Sequence, residues 1–209
     1  MAEQHIDNPG IGPDEVLAFW FGDMDGPDRA IAQRQAGLWW SKDEAVDRRI
    51  RERFEAAVQA AADGRLSQWS ATPEGWLALI VLTDQFPRNI HRGTPGAFAF
   101  DARAREIARE GLDAGRDQSL RSVQRVFAYL PLEHAEDLGL QREAVERFTA
   151  LAAQVPPEDR EAFDGFLDFA RRHLEVIERF GRFPHRNAIL GRESTAAELA
   201  FLEQPGSSF

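Results

Sequence analysis

The sequence predicts an all-α chain: antiparallel helix pairs packed as a bundle or a short superhelical array, with eight or nine helices in a single domain over residues 1–209. Three observations carry this expectation. Every strong apolar periodicity falls at three- to four-residue spacing, as one buried helix face requires. Helix-start signals recur, at Thr72-Pro73-Glu74 and at Thr195 with Glu198. The breaks are short runs such as Asp63-Gly64, Thr94-Pro95-Gly96 and Pro156-Pro157, which turn one helix back along its neighbour. No regular 34-residue spacing marks a repeat.

Residues 1–12 read as a loose lead-in. Pro13 then opens a short helix to Phe21, with Asp14 and Glu15 suited to its positive N-terminus, and Gly22 ends it. Asp23 to Pro27 form a turn, and a second helix covers Asp28 to about Trp40. Ser41 and Glu44 match a capping box for a third helix running to Ala62. In that helix Val46, Ile50, Phe54, Val58 and Ala61 form the buried stripe, while Arg48, Arg49, Arg51 and Arg53 form a solvated face. Trp76 to Phe86 is apolar nearly all round and reads as a central helix, with polar Asp84 and Gln85 at its end. Further helices are expected over 97–111 and 117–130, the latter broken or restarted by Pro131, then over 133–138 and 141–154. A long amphipathic helix covers 158–180 and carries Phe163, Leu167, Ala170, His173 and Ile177 on one face. The last helix runs from Ser194 or Thr195 to Leu202, and the tail around Ser207 and Ser208 reads as flexible.

Composition narrows the function. The net charge of −10 argues against bulk nucleic-acid binding, because phosphate neutralisation needs a basic face. The absence of Cys removes disulfides, thiolate nucleophiles and Cys-held metals. The longest apolar run, Trp76 to Leu82, is far short of the ~20 residues of a membrane span. The first eight residues lack the basic start and apolar stretch of a signal peptide, so a soluble cytoplasmic protein is expected. There is no Gly-rich phosphate loop and no nucleophile elbow.

Against this acidic background, two related strings concentrate cations. One is Asp84-Gln-Phe-Pro-Arg-Asn-Ile-His-Arg-Gly93; the other, in the tail, is Arg182-Phe-Pro-His-Arg-Asn187, with Arg192 beyond it. Arg88, Arg92, Arg182 and Arg186 offer planar forks for carboxylate or phosphate oxygens. Asn89 and Asn187 can fix a neutral polar group, and His91 and His185 exchange protons near neutral pH. The structural alternative is that these arginines pair with acids such as Asp84, Glu178 and Glu193 and cap helix ends. A third piece is Tyr129 with Glu133, His134 and Glu136. Pro131 would place those acids in a helix's first turn, where they complement its dipole; the functional reading is an acid/base group. No ligand spacing supports a metal there, and His173 reads as a hydrogen-bonded core residue.

The candidate site is therefore Asp84, Arg88, Asn89, Arg92, Tyr129, Glu133, His134, Arg182, His185, Arg186 and Asn187, with Glu133, His134 and His185 as the groups suited to proton transfer. Its partner is a small anionic or polar ligand; the rival is a protein or peptide bound to a helical scaffold. No cofactor is indicated.

Several stretches together resemble the bacterial family known as domain of unknown function 924. They are Val16-Leu-Ala-Phe-Trp-Phe-Gly22, Trp39-Trp-Ser-Lys-Asp43, Thr83-Asp-Gln-Phe-Pro-Arg-Asn89 with Arg92-Gly-Thr-Pro95, Phe127-Ala-Tyr-Leu-Pro-Leu-Glu-His134, Arg179-Phe-Gly-Arg-Phe-Pro-His-Arg-Asn187, and Leu190-Gly-Arg-Glu-Ser-Thr195 through to Phe209. The resemblance implies a tetratricopeptide-like helical fold and no particular activity. This chain has Ala135 where the family usually has Ser, and Thr83 where it usually has an aliphatic residue.

Overall fold

The computed structural model describes residues 10–207. The lead-in expected over residues 1–12 lies outside it except for its last three residues, as does Ser208. Ten α segments follow in order: α1 Pro13–Phe21, α2 Asp28–Trp40, α3 Glu44–Ala62, α4 Pro73–Ile80, α5 Phe86–Ile90, α6 Asp101–Asp113, α7 Ser122–Glu133, α8 Leu138–Gln154, α9 Arg160–Phe180 and α10 Ala196–Leu202. A π turn, Val81–Gln85, joins α4 to α5, so these form one rod and the described residues hold nine helices and no strand.

The starts of these helices follow their chemistry. The Glu15 carboxylate accepts from the Gly12 N–H at 2.8 Å, Thr72 Oγ1 accepts from Gly75 N–H at 3.1 Å, and Thr195 and Glu198 form the expected reciprocal box. The box expected at Ser41 is absent. Asp43 caps α3 instead, accepting from Ala45 and Val46, because a carboxylate two residues further on meets the free N–H groups directly. The Ser41 hydroxyl turns back to the Gly37 carbonyl and closes α2. Nor is the tail loose at Ser207: that residue is buried, and its hydroxyl donates to the Leu202 carbonyl at 3.0 Å.

The core is aromatic. Trp20 and Phe21 of α1 meet Trp39 of α2 and Phe127 of α7, while Phe54 of α3 and Phe86 of α5 close the other side, mostly edge to face. The α4 rod runs through the middle, with Trp76, Leu77, Ala78, Ile80, Val81 and Leu82 all buried. Gly111 lets α6 approach it. A Cβ there would lie 2.0 Å from the Trp76 ring, whose N–H donates to the Ile107 carbonyl at 2.6 Å. Helices α7, α8 and α9 pack in succession along one another. A smaller apolar cluster, Val176, Ile177 and Phe183 with Phe180 and Phe201, docks the tail and α10 onto the end of α9.

Two prolines behave differently from the sequence expectation. The central helix passes through Pro87 and reaches Ile90, and α7 passes through Pro131 and ends at Glu133. At Pro87 the preceding π turn widens the helix where the ring would otherwise press on the Thr83 carbonyl. At Pro131 one helical hydrogen bond is lost, but Val126, Phe127, Leu130 and Leu132 are buried around it and hold the rod. Glu133 and His134 therefore sit at the end of a helix, not at its first turn. The expected short helix over 133–138 is absent: residues 134–137 form a turn between α7 and α8.

Candidate functional site

The π turn decides where the site forms. Its extra residue turns Asp84 inward, where the side chain is 1% exposed in a helix otherwise lined with apolar groups. An isolated carboxylate there would be costly, so it is surrounded by donors. His134, the residue that ends α7, meets Asp84 Oδ1 through Nδ1 at 2.9 Å. Gln85 donates to the other oxygen. Arg88, one turn further along, donates from Nη1 to the Asp84 carbonyl and lies 3.4 Å from Oδ1.

Arg88 extends the cluster. Its Nη1 also reaches Asp101 Oδ1 at 3.0 Å, at the start of α6. The other oxygen of Asp101 accepts from Arg186 Nη1 at 3.2 Å. Arg186 comes from the tail, on the short 3-10 turn Pro184–Arg186, and its guanidinium lies between the rings of Phe98 at 4.5 Å and Phe183 at 4.7 Å. On the opposite side Glu133 Oε1 lies 3.2 Å from His173 Nδ1, which also meets the Phe169 carbonyl at 2.9 Å. The rings of His134 and His173 are 6.4 Å apart. Five separate parts of the chain thus meet: the π turn with α5, the start of α6, the end of α7, α9, and the tail. Arg88 and His134 reach solvent, with side chains 20% and 16% exposed, while Asp84, Glu133, His173 and Arg186 form a buried floor.

The electrostatics follow from burial and from the two arginines. Burial works against the Asp84 carboxylate, but Arg88 and His134 outweigh it and hold its pKa at about 2. Burial and then the Asp84 charge push Glu133 up to about 8, so it is protonated at neutral pH. Its place in the last turn of α7 acts in the same sense, since a helix C-terminus disfavours an anion. Burial and then Arg88 press His134 below its ordinary value, against the pull of Asp84. Burial drives His173 down to about 3, and burial with Arg186 drives His185 to about 4. Burial and then the charge of Arg88 lower Arg186 to about 10. His173 and His185 are therefore neutral at pH 7, His134 is shifted in the same direction, and the two arginines repel each other around one shared carboxylate.

Not every candidate residue converges here. Asp84, Arg88, Glu133, His134 and Arg186 do, and His185 lies within reach of their charges. Asn89 and Arg92 instead hold Asp47 of α3: Asn89 Nδ2 at 2.8 Å, and Arg92 through two bonds of 2.6 and 2.7 Å. Arg182 makes a two-bond pair with Glu198 of α10, and Asn187 joins Ser194 and Arg192, which in turn grips Glu136 through two bonds. Tyr129 donates to Asp117 at 2.7 Å and accepts from Arg125 at 3.0 Å, a separate buried network. Asp101 and Phe98 are not among the sequence candidates, and Phe183 lies within the tail string without a role assigned. Asp101 has no local signal, because it meets its arginines 13 and 85 positions away. His173 was legible as a bonded core residue, but its bond to Glu133 was not. Among the described residues no group of His, Asp and Glu is arranged to hold a metal, and no helix is long and apolar enough to cross a membrane.

A family profile described as "Bacterial protein of unknown function (DUF924)" matches residues 16–206, which include every member of the cluster. The fold is similar to a solved structure of a protein of unknown function from Agrobacterium tumefaciens, with a TM-score of 0.76 and 37% identity over 91% of this chain and 96% of that one. Comparison with curated proteins gives no significant match. With the profile matching nearly its whole length, the chain belongs to the DUF924 family of bacterial proteins.

Proposed function

We propose that the Arg88–Arg186 pair binds the oxyanion group of a small ligand, a phosphate, sulfate or carboxylate. One observation carries this reading: Arg88 Nη2 and Arg186 Nε are both buried and have no hydrogen-bond partner. Leaving a buried charged donor unsatisfied costs at least about 1–3 kcal/mol, and proteins tolerate that chiefly where function uses the group. Both donors belong to guanidiniums tethered to the same Asp101 carboxylate, so one oxyanion can meet them together. His134, which is partly exposed and bonded to Asp84 beside Arg88, can complete the shell. Sulfate tests this by thermal shift, because binding the native state raises the melting temperature. The wild type should gain several degrees at millimolar sulfate relative to chloride at equal ionic strength, and Arg186→Ala and Arg88→Ala should lose the gain. An equal shift in all three proteins sinks the proposal.

A second reading, of a different class, is a tetratricopeptide-like scaffold for a protein or peptide, with the strings as clamps. It is supported by Asn89 and Arg92, which hold Asp47 of α3, by Arg182, which holds Glu198 of α10, by Asn187, which fastens the tail to Ser194, and by the exposed Trp40 and Phe169. Acid/base chemistry on the bound compound, through His134 with Glu133 and His185 nearby, would extend the first reading. A soluble, cytoplasmic protein suits either.

A further inference from the structure

Charge balance around the two arginines says more about how an anion enters. As built, the cluster is neutral. Asp84 and Asp101 match Arg88 and Arg186 one for one, Glu133 is protonated, and the surrounding histidines are uncharged. An oxyanion seated on the unpartnered donors would add buried negative charge that nothing offsets, and buried charge is stable only when it is paired.

One group is placed to supply the missing positive charge. His134 is bonded through Nδ1 to the buried Asp84 carboxylate, so its Nε2 is the nitrogen left to meet a ligand. It also ends α7, where the helix C-terminus favours a cation. The groups that face it are Asp84 from the π turn, Arg88 from α5, Asp101 from α6, Glu133 from its own helix, His173 from α9, and His185 and Arg186 from the tail. Among these, His173 already shares its Nδ1 between Glu133 and the Phe169 carbonyl in an almost closed site. His185 lies beside Arg186, which opposes any added positive charge on it.

Resting on the anion-site reading above, we infer that the cluster takes up its oxyanion together with one proton, which lodges on His134 Nε2 and turns the imidazole into a donor to the bound group. The imidazolium then lies between two anions, the Asp84 carboxylate and the ligand. No bond other than N–H forms, and the proton comes from solvent. The free imidazole is held below its ordinary value by burial and by Arg88, and the ligand's charge reverses that balance. Affinity is therefore greatest at low pH and is lost as pH rises through the bound-state pKa of His134. The fall approaches about tenfold per pH unit when one proton is coupled.

Sulfate is the right probe, because it stays a dianion throughout this range and so cannot itself take the proton. Titrating sulfate into the full-length protein at pH 7 by calorimetry, in two buffers of different ionisation enthalpy, should report uptake of up to one proton per sulfate. His134→Gln keeps a side-chain donor but cannot titrate, so it should bind sulfate with no uptake and with little dependence on pH. In the wild type, the His134 ring resonances should move toward the protonated position when sulfate is added at constant pH. This second measurement holds even if the variant folds poorly. Sulfate binding with no proton uptake, or uptake that survives His134→Gln, overturns the coupling and leaves the anion site standing. No sulfate binding at all overturns the anion site and the coupling with it.

Discussion

Glu133 offers the sharpest test of the site's electrostatics. Its carboxyl is raised from an ordinary 4.5 to about 8, first by burial and then by the Asp84 charge. For an acid whose folded pKa is raised, the native state does best below the unfolded value. It is penalised progressively as pH rises from about 4.5, where the unfolded chain ionises, to about 8, where the native group also ionises. At about 1.4 kcal/mol per pH unit, that interval sets a ceiling of roughly 5 kcal/mol on the stability lost between pH 4.5 and 8. Glu133→Gln keeps the shape and polarity of the neutral acid and cannot ionise. Urea denaturation at half-unit steps from pH 4.5 to 9 should show the two proteins similar at the acid end and diverging above it. Near pH 8.5 the variant should be the more stable by about 2–5 kcal/mol, which is a midpoint shift of about 1 M or more. Wild-type and variant curves that run parallel across the whole range would refute the assignment of Glu133 as a buried, protonated acid.

Two further outcomes follow from the same contacts. Asp101→Asn removes the carboxylate that Arg88 and Arg186 share and should cost about 3–5 kcal/mol in denaturation experiments. Sulfate should restore part of that loss, raising the variant's melting temperature more than the wild type's; an unchanged melting temperature would show that Asp101 holds neither arginine. Tyr129→Phe removes the hydroxyl that links Asp117 and Arg125, so it should cost about 1–3 kcal/mol and leave sulfate affinity as it was. Weakened sulfate binding in this variant would return Tyr129 to the anion site.

The helices were legible because their signals are local. Amphipathic stripes at three- to four-residue spacing and caps such as Thr72 and Thr195 depend on neighbours within one turn, and the structure keeps them. Misreadings arose where tertiary packing overrode a local rule. Pro131 and Pro87 lie inside helices because the surrounding core, and in one case a π turn, offset the lost hydrogen bond. The site was only half legible. Arg88 and Arg186 stood out as cations in an acidic chain, but nothing in the strings separates them from Arg92 and Arg182. What separates them is the partner: Asp47 and Glu198 each close a two-bond pair, whereas Asp101 divides its oxygens between two arginines and leaves donors over. That distinction lies in contacts between distant parts of the chain, which periodicity and spacing do not record.

The position of Arg186 between Phe98 and Phe183 bears on the order in which the protein matures. The aromatic contacts around α1 and the central rod use residues up to Phe127, and the wider core continues through α8 and α9 to Ala170, so part of the interior can collapse while synthesis is still under way. The second arginine arrives only with the tail, 85 positions after the aspartate it joins. A nascent chain short of that point holds Arg88 and Asp84 but lacks the second arginine that shares Asp101. If the pair binds an anion as proposed, an anion present during refolding should speed or secure the docking of the tail rather than the earlier collapse.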